Sequence, residues 1–154
     1  MTLAAIGLGS NEGDAVAHVR GAFTRLGELG TVVARSALYR SPPWGVAEQA
    51  AFVNAAALVD TALEPRALLG ALQRIEREAG RVPTYRWGPR VLDLDILAYG
   101  DERVDEPHLV IPHARLTERA FALVPLAEID PRFAAQRDAL PPGERAAVVE
   151  LDPQ

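Results

Sequence analysis

A chain of 154 residues, 49% of them hydrophobic, is long enough for one core and short for two, so a single globular domain is expected. It contains no cysteine, and all 16 of its basic residues are arginine, which excludes thiolate nucleophiles, thiolate metal sites, disulfides, a Walker A phosphate loop and Schiff-base chemistry. The net charge of −5 argues against general affinity for nucleic acid, and the chain has neither a leader-like N-terminus nor eighteen consecutive apolar residues, so a soluble cytoplasmic protein without a membrane partner is expected.

Leu3 to Leu8 is predicted as a buried first strand, and Gly9-Ser10-Asn11-Glu12-Gly13-Asp14 as a turn that enters a helix at Asp14. Val16, Val19, Phe23 and Leu26 recur at helical spacing, and Gly30 is placed as the close of that helix. Thr31 to Tyr39 is predicted as a second strand, Ser41-Pro42-Pro43-Trp44-Gly45 as irregular, and Phe52 to Asp60 as a third strand. A helix begins near Pro65, with Leu68, Leu72, Ile75 and Ala79 as its apolar stripe and Gln73, Glu76 and Arg77 on a neighbouring face, and Gly80 ends it.

Residues 81–89 are then a loop, Val91 to Tyr99 a fourth strand, residues 104–112 a hairpin, and Arg115 to Ile129 a helix broken at Pro125. This order, βαββαβ, is the split βαβ pattern of an α+β ferredoxin-like fold: an antiparallel sheet with both helices on one face and the other face free for a site. The core is expected to span about residues 1–130, with C-terminal additions from about Ala134 forming a peripheral tail of the single domain 1–154.

The chemistry concentrates in Arg86-Trp87-Gly88-Pro89-Arg90-Val91-Leu92-Asp93-Leu94-Asp95-Ile96. On an extended chain Asp93 and Asp95 share a face at roughly 7 Å, while Leu92, Leu94 and Ile96 face a core. Aspartate is disfavoured in strands, and adjacent carboxylates on one face repel unless a cation intervenes. Such oxygen donors suit magnesium, which takes one or two protein carboxylates and completes its shell with water and phosphate oxygens. Arginine supplies the matching anion clamp.

Other motifs are less telling. Gly7-Leu8-Gly9-Ser10-Asn11-Glu12-Gly13 has its third glycine one residue late for a dinucleotide fingerprint, so a tight turn is the simpler reading. The Trp-, Pro- and Gly-containing loops at 41–50 and 80–90 suit closure over a substrate or packing of Trp44 and Trp87 on the sheet. His113 has no histidine partner at zinc-site spacing, and Asn54 is an amide in an apolar strand that must find hydrogen-bond partners.

Taken in order, Gly9-Ser10-Asn11 with Gly13-Asp14, Tyr39-Arg40-Ser41-Pro42-Pro43-Trp44-Gly45, Phe52-Val53-Asn54-Ala55, Gln73-Arg74-Ile75-Glu76, the segment from Arg86 to Ile96, and Pro112-His113 with Arg119 and Phe121 resemble the 6-hydroxymethyl-7,8-dihydropterin pyrophosphokinase family over about residues 4–130. The resemblance implies a ferredoxin-like fold and transfer of pyrophosphate from ATP to the pterin hydroxymethyl group, with release of AMP, by a monomer of folate biosynthesis. It implies Asp93 and Asp95 as ligands of two magnesium ions, and Arg81, Arg90 and Asp95 as catalytic residues.

By the same resemblance Gln73, Glu76, Arg81, Trp87, Arg90, Ile96, His113 and Arg119 surround ATP. Ser41, Pro42, Trp44, Phe52, Asn54, Trp87, Asp95 and Phe121 then form the pterin pocket, with the pterin between the rings of Phe52 and Phe121 and its polar edge on Asn54. Two departures stand out: Ala114 lies where an aromatic is common, and the loop between Arg81 and Arg86 is one residue shorter and lacks a basic residue. The rival readings are another magnesium-dependent phosphotransferase on the same scaffold and a noncatalytic ferredoxin-like module that binds RNA or a regulatory ligand.

Overall fold

The computed structural model describes residues 1–42, 50–80 and 91–151. Strand β1 (Thr2–Ser10) runs up the middle of an antiparallel sheet, flanked by β5 (Asp93–Tyr99) on one side and β4 (Phe52–Thr61) on the other. Beyond β4 lie both β2 (Thr31–Arg35) and β3 (Tyr39–Ser41), and a short β8 (Val149–Glu150) closes the far edge on β3. With α1 (Ala15–Leu26) and α2 (Pro65–Glu78) after β1 and β4, this is the ferredoxin-like α+β arrangement that the element order predicts.

Both helices pack on one face. Val19, Phe23 and Leu26 from α1 and Leu68, Leu72 and Ile75 from α2 meet Ile6, Leu8, Val59, Leu94 and Ile96 in one apolar cluster. Asp14 caps α1, its carboxylate accepting from the Ala17 N–H at 3.1 Å, and Pro65 occupies the first turn of α2, where its missing N–H costs nothing. Arg25 ties the two helices together through Glu78.

The structure moves several predicted boundaries. β1 continues through Gly9 and Ser10, so these residues belong to the strand and not to the turn. Helix α1 ends at Leu26 with Gly27 as its cap, and Gly30 serves close packing instead: a Cβ there would lie 2.2 Å from the Asp60 carbonyl oxygen. The predicted second strand is two strands, because Ser36 donates its N–H to the Ala56 carbonyl and accepts the Ala56 N–H on its hydroxyl, a side-chain bond that displaces the regular ladder. Glu76, expected with Gln73 and Arg77 on a face beside the apolar stripe, is 6% exposed and lies against β5.

The second face is not wholly free. Helix α3 (Ala120–Ile129) covers half of it, packing Leu123, Leu126 and Ala127 on Ala5, Ala56, Leu58, Leu97 and Ala98. The helix passes through Pro125 without a break, since burial of this apolar segment on the sheet outweighs the lost backbone bond. After it come α4 (Ala134–Asp138), α5 (Pro142–Ala146) and β8, and the residues between them, Leu140 and Val148, join the same cluster at 5% and 9% exposed. Helices of five residues are too short to leave a periodic pattern, which is why this segment reads as a tail. The predicted hairpin is present as β6 (Val104–Glu106) and β7 (Leu109–Ile111). Among the described residues no helix is long and apolar enough to cross a membrane.

Candidate active site

The uncovered half of the second face is a pocket, and its floor is made by glycine. Gly7 stands opposite Asp95 on one side and Ala56 on the other, and Gly9 stands between Asp93 and Asn54. Both glycines line the pocket with backbone alone. A Cβ on Gly9 would come within 3.0 Å of the Asn54 amide nitrogen, and one on Gly7 within 3.2 Å of the Leu97 side chain, so these positions hold glycine to let neighbouring side chains lie across the strand. Neither glycine was identified as a site residue from the sequence. The signal that could have found them is their spacing of two in an otherwise apolar strand.

Asp93 and Asp95 form one wall. Strand alternation puts both carboxylates and Leu97 into the pocket, while Leu94 and Ile96 join the helix-side core. A register shift between Ala5 and Ile6 inserts Leu97 as an extra residue, so Leu97 and Ala98 both pack on the α3 side. Both aspartates are half-buried, and among the described residues no group of three or more His, Asp or Glu side chains could hold a metal. The donor set is therefore a pair of hard oxygen ligands on an open wall, which fits a cation that keeps water and phosphate in its shell.

The opposite wall comes from β3 and β4. Phe52 and Asn54 line the pocket together with Ser41 and Pro42. Asn54 is 5% exposed, and the Ser41 hydroxyl donates to its Oδ1, which leaves the amide NH2 as the polar edge offered to a ligand. The far side is built by residues 113–122. His113, Leu116, Arg119, Phe121 and Ala122 all line it.

Arg119 sits just before α3 with its guanidinium carbon 5.5 Å from the centroid of the Phe121 ring. Its Nε is buried and has no hydrogen-bond partner among the described residues, a donor that an anionic oxygen would satisfy. Burial pushes the His113 imidazole below its ordinary pKa, Arg119 and Arg115 push it further, and Asp93 opposes them. Its Nδ1 accepts the Arg115 N–H at 3.2 Å, so the neutral ring carries its proton on Nε2.

Of the residues that the sequence assigns, the structure thus brings together Ser41, Pro42, Phe52, Asn54, Asp93, Asp95, His113, Arg119 and Phe121. It does not bring Gln73, Glu76 or Ile96 into this pocket: Gln73 is exposed on α2, Ile96 is core, and Glu76 accepts the Leu94 N–H on the helix side. Trp44, Arg81, Trp87 and Arg90 lie outside the described residues.

Comparison with known proteins agrees with this geometry. The sequence profile of the family described as 7,8-dihydro-6-hydroxymethylpterin-pyrophosphokinase (HPPK) matches residues 5–131. A 2-amino-4-hydroxy-6-hydroxymethyldihydropteridine pyrophosphokinase of Methylorubrum extorquens is 50% identical, the match covering 99% of this chain and 96% of that protein. The enzyme of the same description from Pseudomonas aeruginosa is 49% identical over 82% of this chain and 79% of its own length. In fold, the chain is similar to Plasmodium falciparum HPPK-DHPS crystallised with pteroate, with a TM-score of 0.71 and 15% identity over 89% of this chain and 42% of that one. The pocket of glycine floor, paired aspartates and phenyl rings therefore stands in a chain that belongs to the 7,8-dihydro-6-hydroxymethylpterin-pyrophosphokinase family.

Proposed function

We propose that this pocket is where the reaction of the family takes place: pyrophosphate passes from ATP to the hydroxymethyl group of 6-hydroxymethyl-7,8-dihydropterin, the step of folate biosynthesis that releases AMP. The observation that carries the assignment is the opening of Asp93 and Asp95 into the same pocket as Phe52, Phe121 and Asn54. One end of such a pocket suits a flat heteroaromatic ring and the other suits metal-bound phosphate. In this reading the pterin stacks between Phe52 and Phe121, and Asn54, oriented by Ser41, bonds its polar edge. Pro42 adds to the enclosure, and Trp44 and Trp87 are assigned to the pterin as well.

Asp93 and Asp95 would hold magnesium, with two ions assigned. Magnesium there supplies charge neutralisation along the triphosphate and polarisation of the β-phosphorus. Arg119 offers its buried Nε to a phosphate oxygen, and neutral His113 offers Nε2–H as a further donor. Arg81 and Arg90 are assigned to the charge that develops on the departing AMP, and Gln73 and Ile96 to the nucleotide side. The pterin oxygen forms a bond to the β-phosphorus, the bridging bond to the α-phosphate breaks, AMP leaves, and the hydroxyl proton is lost. Phosphoryl-type transfer asks the protein mainly for alignment and charge compensation, which is what these groups supply. We assign these roles to a cytoplasmic monomer that acts on two small molecules.

The test is Asp95→Ala with ATP, magnesium and the dihydropterin. Formation of AMP and pterin diphosphate should fall about 100-fold or more, a loss typical of removing one electrostatic stabiliser. Undiminished turnover would remove Asp95 from the metal site. Product analysis also separates the related phosphotransferase chemistries, which release ADP or pyrophosphate in place of AMP.

A further inference from the structure

Strand β5 is an edge strand, paired among the described residues with β1, and part of its outer side faces α2. Edge strands carry backbone donors with no strand to receive them. At the pocket end of β5 the Leu94 N–H is given to the Glu76 carboxylate at 2.8 Å, and Glu76 is 6% exposed. Leu94 is the residue between Asp93 and Asp95. Its N–H lies in the planar Asp93–Leu94 peptide, so holding its nitrogen holds the backbone from which Asp93 projects, and Asp95 follows one residue later on the same strand. Glu76 lies on the helix side of the strand, while the aspartates open on the other face.

We infer that Glu76 is a positioning residue for the paired aspartates: its carboxylate anchors the outer edge of β5 at Leu94 and so fixes the spacing and direction of the metal-holding wall. This rests on the assignment of Asp93 and Asp95 above and gives Glu76 a task different from direct contact with nucleotide. The requirement is for an acceptor atom at a fixed reach from α2. Glutamine satisfies it with its amide oxygen. Aspartate, one methylene shorter, keeps the charge and does not reach.

The experiment compares Glu76→Gln, Glu76→Asp and Glu76→Ala in the full chain. Amide exchange at Leu94 is followed by NMR without substrates, and the magnesium concentration for half-maximal turnover is measured with ATP and dihydropterin. Glu76→Asp and Glu76→Ala should each speed exchange at Leu94 by roughly tenfold, while the amides of Ala5 and Val59 in the sheet interior stay protected. Both should raise the magnesium requirement by a similar factor, and Glu76→Gln should keep both quantities within about threefold of the parent. Unchanged Leu94 exchange in Glu76→Asp overturns the inference. So does a Glu76→Gln variant that loses as much as Glu76→Ala with only the ATP requirement altered, since that pattern belongs to a charge contact with nucleotide. The exchange measurement needs no turnover, so failure of the clamp is distinguishable from failure of the assigned metal wall, which Asp95→Ala reports.

Discussion

On the helix side of the sheet β1 presents Ala4, Ile6 and Leu8, none more than 3% exposed, whereas on the α3 side the same strand presents Ala5, Gly7 and Gly9. The other central strands change in the same way. β4 shows Val53, Ala55, Ala57 and Val59 to the helices, but on the opposite side it goes from Leu58 and Ala56 under α3 to Asn54 and Phe52 in the pocket. β5 goes from Ala98 and Leu97 to Asp95 and Asp93. One face is uniform and closed, while the other switches chemistry halfway along three strands. The lesson is that the site is bounded by where α3 stops covering apolar side chains, and that the ligand is received where the sheet offers glycine, amide and carboxylate.

This contrast is broken most strongly from the closed side. Leu72 is fully buried among the helix-side residues, so Leu72→Ala should cost about 2–5 kcal/mol of stability by chemical denaturation. The ratio of pterin to ATP affinity in the remaining folded protein should stay unchanged. A selective loss of one substrate would mean that the two faces are coupled.

On the open side, Phe121→Ala should weaken pterin binding about tenfold, equal to about 1.4 kcal/mol, with ATP binding within about twofold, as lost stacking requires. Equal losses by calorimetry would displace the pterin from this ring. Gly9→Ala is a smaller perturbation. The new Cβ would meet the Asn54 amide nitrogen at 3.0 Å, so the pterin KM should rise by about threefold while the thermal midpoint moves little. A large drop in the midpoint instead would make Gly9 a fold residue.

The smallest effect concerns His113. Its folded-state pKa lies below the ordinary 6.5, chiefly through burial, with Arg119 next. As pH falls the unfolded ring binds its proton first, so the stability from this residue is complete above the unfolded value of about 6.5 and is lost as pH falls through the interval down to the folded pKa. An NMR titration of the free protein should place the His113 midpoint below 6.5, and Arg119→Ala should raise it. A midpoint at or above 6.5 in the unaltered protein would contradict the burial of the ring.

Much of the site was legible because its residues break local rules. Aspartates two apart in a strand and an asparagine in an apolar strand are costly choices without a ligand, and each does line the pocket. Gly9 is missed as floor because glycine after a short strand reads as a turn, and only the partner strands show that the ladder continues through Ser10, while Gly7 lies inside the predicted strand, where nothing local shows which face stays open. The inward course of Glu76 was hidden for a similar reason. Helical spacing places it beside Gln73, and nothing local reveals that an edge strand with an unpartnered N–H lies within reach.

Element order, the strand and helix periods and the alternation of Asp93, Leu94, Asp95 and Ile96 were determined by the chain alone, because they follow from backbone geometry and short-range pattern. Tertiary structure decided how far α3 covers the second face, that residues 134–151 pack as part of the body, and which strand donors side chains must satisfy. Those outcomes depend on surfaces distant in sequence meeting one another, and the free energy of burying them is a property of the pair and not of either segment.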